Sequence, residues 1–339
     1  TTGIQSPAAA RRAMVNQSAE KTSERSLKKK FKQYWRASKM QLLMENWRKF
    51  MNEQEEELLN EKLRKADVPF VKKFLAIKDL PLEQFVQGLK KISGNTAVRK
   101  IALSGQTDSG GAPDEALTTG TTNVPVSSLI PTQKDIGFNN SLADQVQNAY
   151  DSTKKVLGDK VVMLGGDGGS PILTYGGRHI LDGHHRWSQI MMTNPEATVK
   201  IADISGAALG GPEEALKATQ LAIAGYTGDL KTKSLGGPDL MQASPEQVAA
   251  YVQKNITDDV LQMLAQTKKI SKPDRNEAAK YYANNLGVIQ QNPGDYDRET
   301  SMPQADYTGG KGTQDAINKL MQQGAINFDD PSPEDIKKV

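Results

Sequence analysis

Gly176-Gly177-Arg178-His179-Ile180-Leu181-Asp182-Gly183-His184-His185-Arg186-Trp187 holds all three histidines of the chain within seven positions. Upstream of it, Pro171-Ile-Leu-Thr-Tyr175 is a short β-rich run, and Gly176-Gly177 reads as a tight turn into a second strand, His179 to Asp182. Gly183 lets the chain bend, and His184 to Met192 continues as a helix stopped near Asn194-Pro195. A strand passing through Asp-Gly into a helix leaves backbone N–H groups without intrahelical partners at the helix start. With Arg186 and two imidazoles in that first turn, the stretch predicts an anion cradle. The plainer alternative makes Asp182 an N-cap and the histidines partly buried spacers.

Asp182-Gly183-His184-His185-Arg186, entered from Gly-Gly-Arg-His-Ile-Leu, resembles the signature turn of the ParB/sulfiredoxin superfamily in its nuclease-like form. Val124-Pro-Val-Ser-Ser-Leu-Ile-Pro-Thr-Gln133 is similar to that family's opening strand, so the resemblance covers roughly residues 122–205. It implies a small α/β (α+β) mixed-sheet domain that binds a nucleotide, CTP or ATP with Mg2+, with the phosphates over the turn. Carried over by position, Gly183 and Arg186 would hold phosphate, and His179 and Gln133 would join them. Asp182 would orient a histidine or meet a metal-bound water, and His184 or His185 would act as general acid/base. Asp182, His184 and His185 are thus the catalytic candidates, with no protein metal centre implied. DNA-segregation members carry Gly-Glu-Arg-Arg and a further arginine, where this chain has Gly183-His184-His185-Arg186 and Ser188. That departure moves the expectation from a CTP-gated clamp to a nuclease or NTPase, a hydrolase of phosphate esters. A nucleotide-binding protein without turnover is the other form.

The composition narrows this further. Without cysteine there are no disulfides, no thiolate metal sites and no sulfiredoxin reaction. No apolar run approaches the roughly 20 residues of a membrane helix, and no secretion signal is visible, so a cytoplasmic or virion location is expected. The start at Thr1 leaves proteolytic maturation open. The net charge of +3 hides an asymmetry: residues 1–100 net +11 and the remainder −8. The basic front end could meet nucleic acid, as in DNA binding, an acidic protein surface, or the chain's own acidic remainder.

Five regions follow. Residues 1–25 read as a flexible basic tail, and 26–103 as a helical arm. Within the arm, Leu27, Phe31, Tyr34, Trp35, Leu43, Met44, Trp47, Phe50 and Met51 form one stripe. That helix is expected to end near Asp67, ahead of Pro69, and a second spans Leu82 to Lys91. The stripe could dock on the rest of the chain, support self-association, or bind a capsid or assembly partner. Lying on a membrane surface is the remaining reading, which the acidic second half of the helix opposes. Met40 to Glu53 resembles short segments of head-associated proteins of tailed bacteriophages, which adds a virion-associated reading: an assembly protein carrying a ParB-like fold without catalysis.

Residues 104–122 read as a Gly/Ser/Thr-rich linker, 123–205 as the ParB/sulfiredoxin-like domain, and 206–339 as a mainly helical region with a Gly/Pro/Asp-rich tail. Within the domain, Ser141 is expected to cap a helix and Lys160 to Leu164 to form a strand. Gly165-Gly-Asp-Gly-Gly169 lacks the Gly-Lys-Ser/Thr ending of a phosphate loop and reads as a turn. Farther on, Pro212 opens a helix, and Ser244-Pro-Glu-Gln opens one running to about Leu264. Lys272-Pro-Asp-Arg leads into another, and Asp315 to Gln323 holds a last helical turn. Residues 205–339 carry 14 basic and 18 acidic residues, which argues against duplex DNA reading there.

Overall fold

In the structure, a computed structural model, the residues described are 67–95, 97–98, 118–148, 152–165, 169–205, 209–228, 230–231, 234–235 and 237–302. All of them belong to one compact unit. The basic tail, the tryptophan stripe, most of the linker and the Asp315 turn lie outside these residues.

The helix expected to end near Asp67, ahead of Pro69, lies outside the described residues, and Pro69 itself opens a helix. It stands in the first turn of α1 (Val68–Leu75), where a missing N–H removes no intrahelical bond. α1 buries Val71 and Phe74, and Phe74 meets Phe85 of α2 (Leu82–Ile92) edge to face with centroids 6.4 Å apart. α2 buries Leu82, Phe85, Val86, Leu89 and Ile92, a spacing of three and four that gives it one apolar face.

Five strands form one mixed sheet: β1 (Thr118–Pro125), β2 (Ile130–Pro131), β3 (Ile172–Tyr175), β4 (His179–Asp182) and β5 (Thr198–Ser205), in the order β1-β5-β3-β4-β2. β1 runs antiparallel to β5 from Thr118 opposite Ser205 to Pro125 opposite Thr198. β3 is parallel to β5 and antiparallel to β4, and β2 is parallel to β4. The sheet makes the fold α/β, as the sequence predicts.

Three local expectations change. Thr118 to Thr122 are strand rather than linker, since β-branched threonines suit an extended chain and each residue has a partner on β5. Lys160 to Leu164 make only one bridge, Val162 to Val199, because β1 and β3 occupy the remaining edges of β5. Helix α3 (Phe138–Gln147) begins ahead of Ser141, because Phe138 already belongs to the buried stripe of Leu142 and Val146. Ser141 is therefore internal, and its hydroxyl donates back to the Gly137 carbonyl at 2.9 Å.

The remaining helices are α4 (Lys154–Gly158), α5 (His184–Thr193), α6 (Pro212–Thr227), α7 (Pro245–Asn255), α8 (Asp258–Gln266), α9 (Arg275–Ile289) and α10 (Arg298–Ser301). Ser244 and Gln247 make the expected capping box. The helix they open stops at Asn255, however, because Ile256 turns extended and Thr257 caps α8.

One hydrophobic core crosses the boundary expected at residue 205. It joins Val126, Ile180 and Val199 to Trp187 and Met192 of α5, and these to Val252, Tyr282 and Leu286 of α7 and α9. Tyr281 donates to the Thr193 carbonyl at 2.7 Å, and Asn285 to that of Met192 at 2.7 Å. The later part of the arm is tied in as well, with the Leu82 amide donating to Glu213 of α6 at 3.0 Å. Sheet, α2 and late helices thus form one packed body, with α5 supported from behind. Among the described residues no helix is long and apolar enough to cross a membrane.

Candidate functional site

β4 delivers Asp182 to the turn, Gly183 reverses the chain, and α5 starts at His184. Gly183 has φ 103° and ψ 19°, a left-handed conformation that glycine adopts without steric cost. Its lack of a side chain also makes room, because a Cβ there would lie 2.8 Å from Nη2 and 3.1 Å from Nε of Arg186. The Arg186 guanidinium therefore lies folded across the turn. Its Nη2 donates to Asp182 Oδ2 at 2.9 Å and its Nη1 to the Ser170 carbonyl at 3.2 Å. Asp182 is not the N-cap of α5: Gly183 holds that position, and the carboxylate pairs with Arg186.

The two adjacent histidines have different surroundings. His184 is buried at 5% exposure, and its Nε2 accepts the amides of Thr132 and Gln133, both at 3.1 Å. The Thr132 hydroxyl sits 3.2 Å from the same nitrogen and donates to the Ile180 carbonyl at 2.6 Å. Burial pushes His184 down to about 3, helped by the charges of His185, Arg298 and Arg186 and opposed by a hydrogen bond to the Ile180 backbone. The ring is neutral, with its acceptor nitrogen engaged by backbone. It fastens the chain after β2 to the turn, and its lone pair is not available for proton transfer.

His185 faces Arg298, a residue outside every motif of the sequence. Arg298 Nη1 stands 2.8 Å from His185 Nε2 and 3.3 Å from Nδ1, and the two residues are 113 positions apart. Burial, followed by the Arg298 charge, brings His185 down to about 4, so it too is neutral at pH 7. Arg298 is itself only 5% exposed. Its guanidinium is lowered by burial and supported by the charges of Asp135 and Asp182. Burial likewise raises the Asp135 carboxyl.

The chain reaches this position by pairing with the residues that follow β2. Tyr296 forms a parallel bridge with Gln133, its amide donating to Thr132 O at 2.9 Å and its carbonyl accepting from the Lys134 amide at 2.9 Å. Asp297 then caps α10 by accepting from Glu299 and Thr300 at 3.1 and 3.2 Å, and the Arg298 amide donates to Asp135 Oδ1 at 2.8 Å. The only sequence signal for this segment is the cap pattern Asp297-Arg-Glu-Thr.

Asp182, Gly183, His184, His185 and Arg186 thus meet at one turn, as their contiguity requires. Gln133 is brought to it through its backbone, while its side-chain amide donates to the Asp135 carbonyl. His179 is not brought there. It stands at the other end of β4, about 10 Å from Asp182 at strand rise, paired with Ile130 and Tyr175. Burial and Arg178 lower its pKa, against Asp295. Among the described residues no group of three or more His, Cys, Asp or Glu converges as a metal site would require. The chain matches no protein-family model, no curated protein and no solved structure.

Proposed function

We propose that this chain is a ParB-like nucleotide-binding protein that holds a phosphate group over Gly183 to Arg186. What supports the reading is the meeting of two guanidinium groups with the start of a ten-residue helix: Arg186 folded across Gly183, and Arg298 on the ring of His185. A helix start offers backbone N–H donors and the positive end of the dipole, and guanidinium groups match phosphate oxygens. Asp182 and the Ser170 carbonyl hold Arg186 in place before a ligand arrives, so little ordering is left for binding.

Magnesium would supply charge neutralisation on the phosphates, and Asp182 is the carboxylate at the turn that would face a metal-bound water. His184 is engaged by backbone, so any proton transfer falls to His185. That ring is neutral at pH 7, so it could take a proton but offers no acid, and its depression to about 4 by burial and the Arg298 charge makes it a weak base. Phosphate-group binding is therefore the first part of the reading, and any hydrolysis would use His185 as such a base. Calorimetry with CTP, ATP, GTP and ADP, each with and without magnesium, tests the binding. Heat from at least one nucleotide is expected, and no binding at millimolar concentration overturns the reading.

A further inference from the structure

Arg298 belongs to none of the motifs at the turn, yet the chain fixes its position from several sides. Gly294 passes so close to the chain after β2 that a Cβ there would overlap both Gln133 O and Thr132 C. Tyr296 pairs on both sides of Gln133, Asp297 caps the short helix, and Asp135 holds the Arg298 amide. The result is a guanidinium at 5% exposure against an imidazole. Burying a guanidinium costs far more than burying an apolar side chain, so covering the β2 edge alone would not call for one. Its Nη1 stands 2.8 Å from Nε2 and 3.3 Å from Nδ1 of His185. In the plane of the ring, a point that near both nitrogens would fall against the carbon between them, so Nη1 lies over the ring face. Gly137 also borders the ring, since a Cβ there would come within 3.3 Å of Nε2. An uncharged aromatic face attracts a cation, and burial, followed by the Arg298 charge, keeps this ring uncharged at pH 7.

We propose that His185 is the positioning residue for Arg298: its ring is the platform that holds Arg298 as the second phosphate-binding cation of the turn. The backbone of residues 294–302 brings the guanidinium to the site, and the ring face gives it a fixed seat there. Asp182 serves both cations, pairing with Arg186 at 2.9 Å and supporting the Arg298 charge. A platform needs a flat ring rather than a ring nitrogen, which separates this role from any in which His185 moves a proton. The inference deepens the phosphate-site reading and rests on it, but its first test needs no ligand.

A proton lying over an aromatic face is shifted upfield by the ring current. In NMR spectra of the full-length protein, the guanidinium protons of Arg298 are expected upfield of those of the other arginines. They should return to the ordinary range in His185→Ala. A parent signal without that shift overturns the proposal, whether or not any variant folds. Calorimetry with ADP supplies the second test. Affinity should fall about threefold or more in both Arg298→Met and His185→Ala. His185→Phe keeps a flat face without a nitrogen and should bind ADP nearly as the parent does. His185→Asn keeps a polar group without the face and should bind as weakly as His185→Ala. The ring-nitrogen signal of His184, whose Nε2 accepts two backbone amides, reports that the turn is still folded in each variant. With that signal intact, parent-like binding in His185→Ala overturns the proposal, and so does binding by His185→Phe no better than by His185→Ala. If the parent binds no ADP, the phosphate reading fails, while the upfield shift still decides whether His185 seats Arg298.

Discussion

His184 and Thr132 form a closed contact: the Thr132 amide donates to His184 Nε2 at 3.1 Å, and the Thr132 hydroxyl lies 3.2 Å from the same nitrogen. Protonating His184 would break this contact, and the consequence is a definite pH dependence. Both His184 and His185 are depressed below the ordinary 6.5, to about 3 and about 4. Between those values and 6.5 the unfolded chain binds more protons than the folded one. Stability from this source is therefore complete above pH 6.5 and falls as the pH drops. Each histidine contributes a slope of about 1.4 kcal/mol per pH unit inside its window. Urea unfolding between pH 7.5 and 5 should show the loss, and a flat profile there refutes the buried neutral pair. His184→Ala should leave two amides unsatisfied, at roughly 1–3 kcal/mol each.

Arg186→Ala removes the guanidinium lying across the turn. A charge-assisted hydrogen bond is worth roughly 1.5–3 kcal/mol, so nucleotide affinity should fall by about one to two orders of magnitude. His185→Ala should lower any hydrolysis more than it lowers binding. Lys217, which looks like a remote control residue on a late helix, is 6% exposed and paired with Glu213 at 3.2 Å. Exposed Lys254 on α7 is the better control, and Lys254→Ala should leave affinity unchanged.

Gly183→Ala should act twice. The left-handed backbone costs an L-residue about 1–2 kcal/mol, and the new methyl would meet the Arg186 guanidinium. Thermal unfolding should report the first effect. Calorimetry should report an affinity loss like that of Arg186→Ala, and unchanged binding would remove Gly183 from the site.

Gly294 and Gly287 form a matched pair for mutagenesis. Gly294→Ala would force the Tyr296 segment away from Gln133, speeding amide exchange across 294–302 and costing roughly 1–3 kcal/mol. A Cβ on Gly287, inside α9, meets nothing within 4 Å. There alanine should stabilise the protein by about 0.5–1 kcal/mol. If both substitutions behave alike, the close approach at Gly294 is not what holds the segment.

Contiguous features could be read directly from the sequence. The Gly176-Gly177 turn, the strand to Asp182, the helix from His184 to the Asn194-Pro195 stop and the Ser244 cap each depend on a few adjacent residues. The break between α7 and α8 was harder, because an unbroken apolar pattern obscures the Thr257-Asp-Asp cap signal. Arg298 could not be found in this way. Its place depends on one bridge between Gln133 and Tyr296, and a single distant pairing leaves no periodicity in either segment. The distinct states of His184 and His185 were hidden for the same reason: adjacent in sequence, they differ in whether the contact is Thr132 or Arg298.

The contact between His185 and Arg298 also bears on when the site can first exist. The two residues are separated by 113 positions, which a ribosome producing about 5–20 residues per second needs roughly 6–23 s to add. The nascent turn must pass that interval with its imidazole unclasped, while the sheet around it has every strand available once Ser205 is made. Maturation of the site is thus tied to synthesis of a distal stretch, and ribosome-bound chains stalled short of residue 298 would carry the sheet without a finished centre.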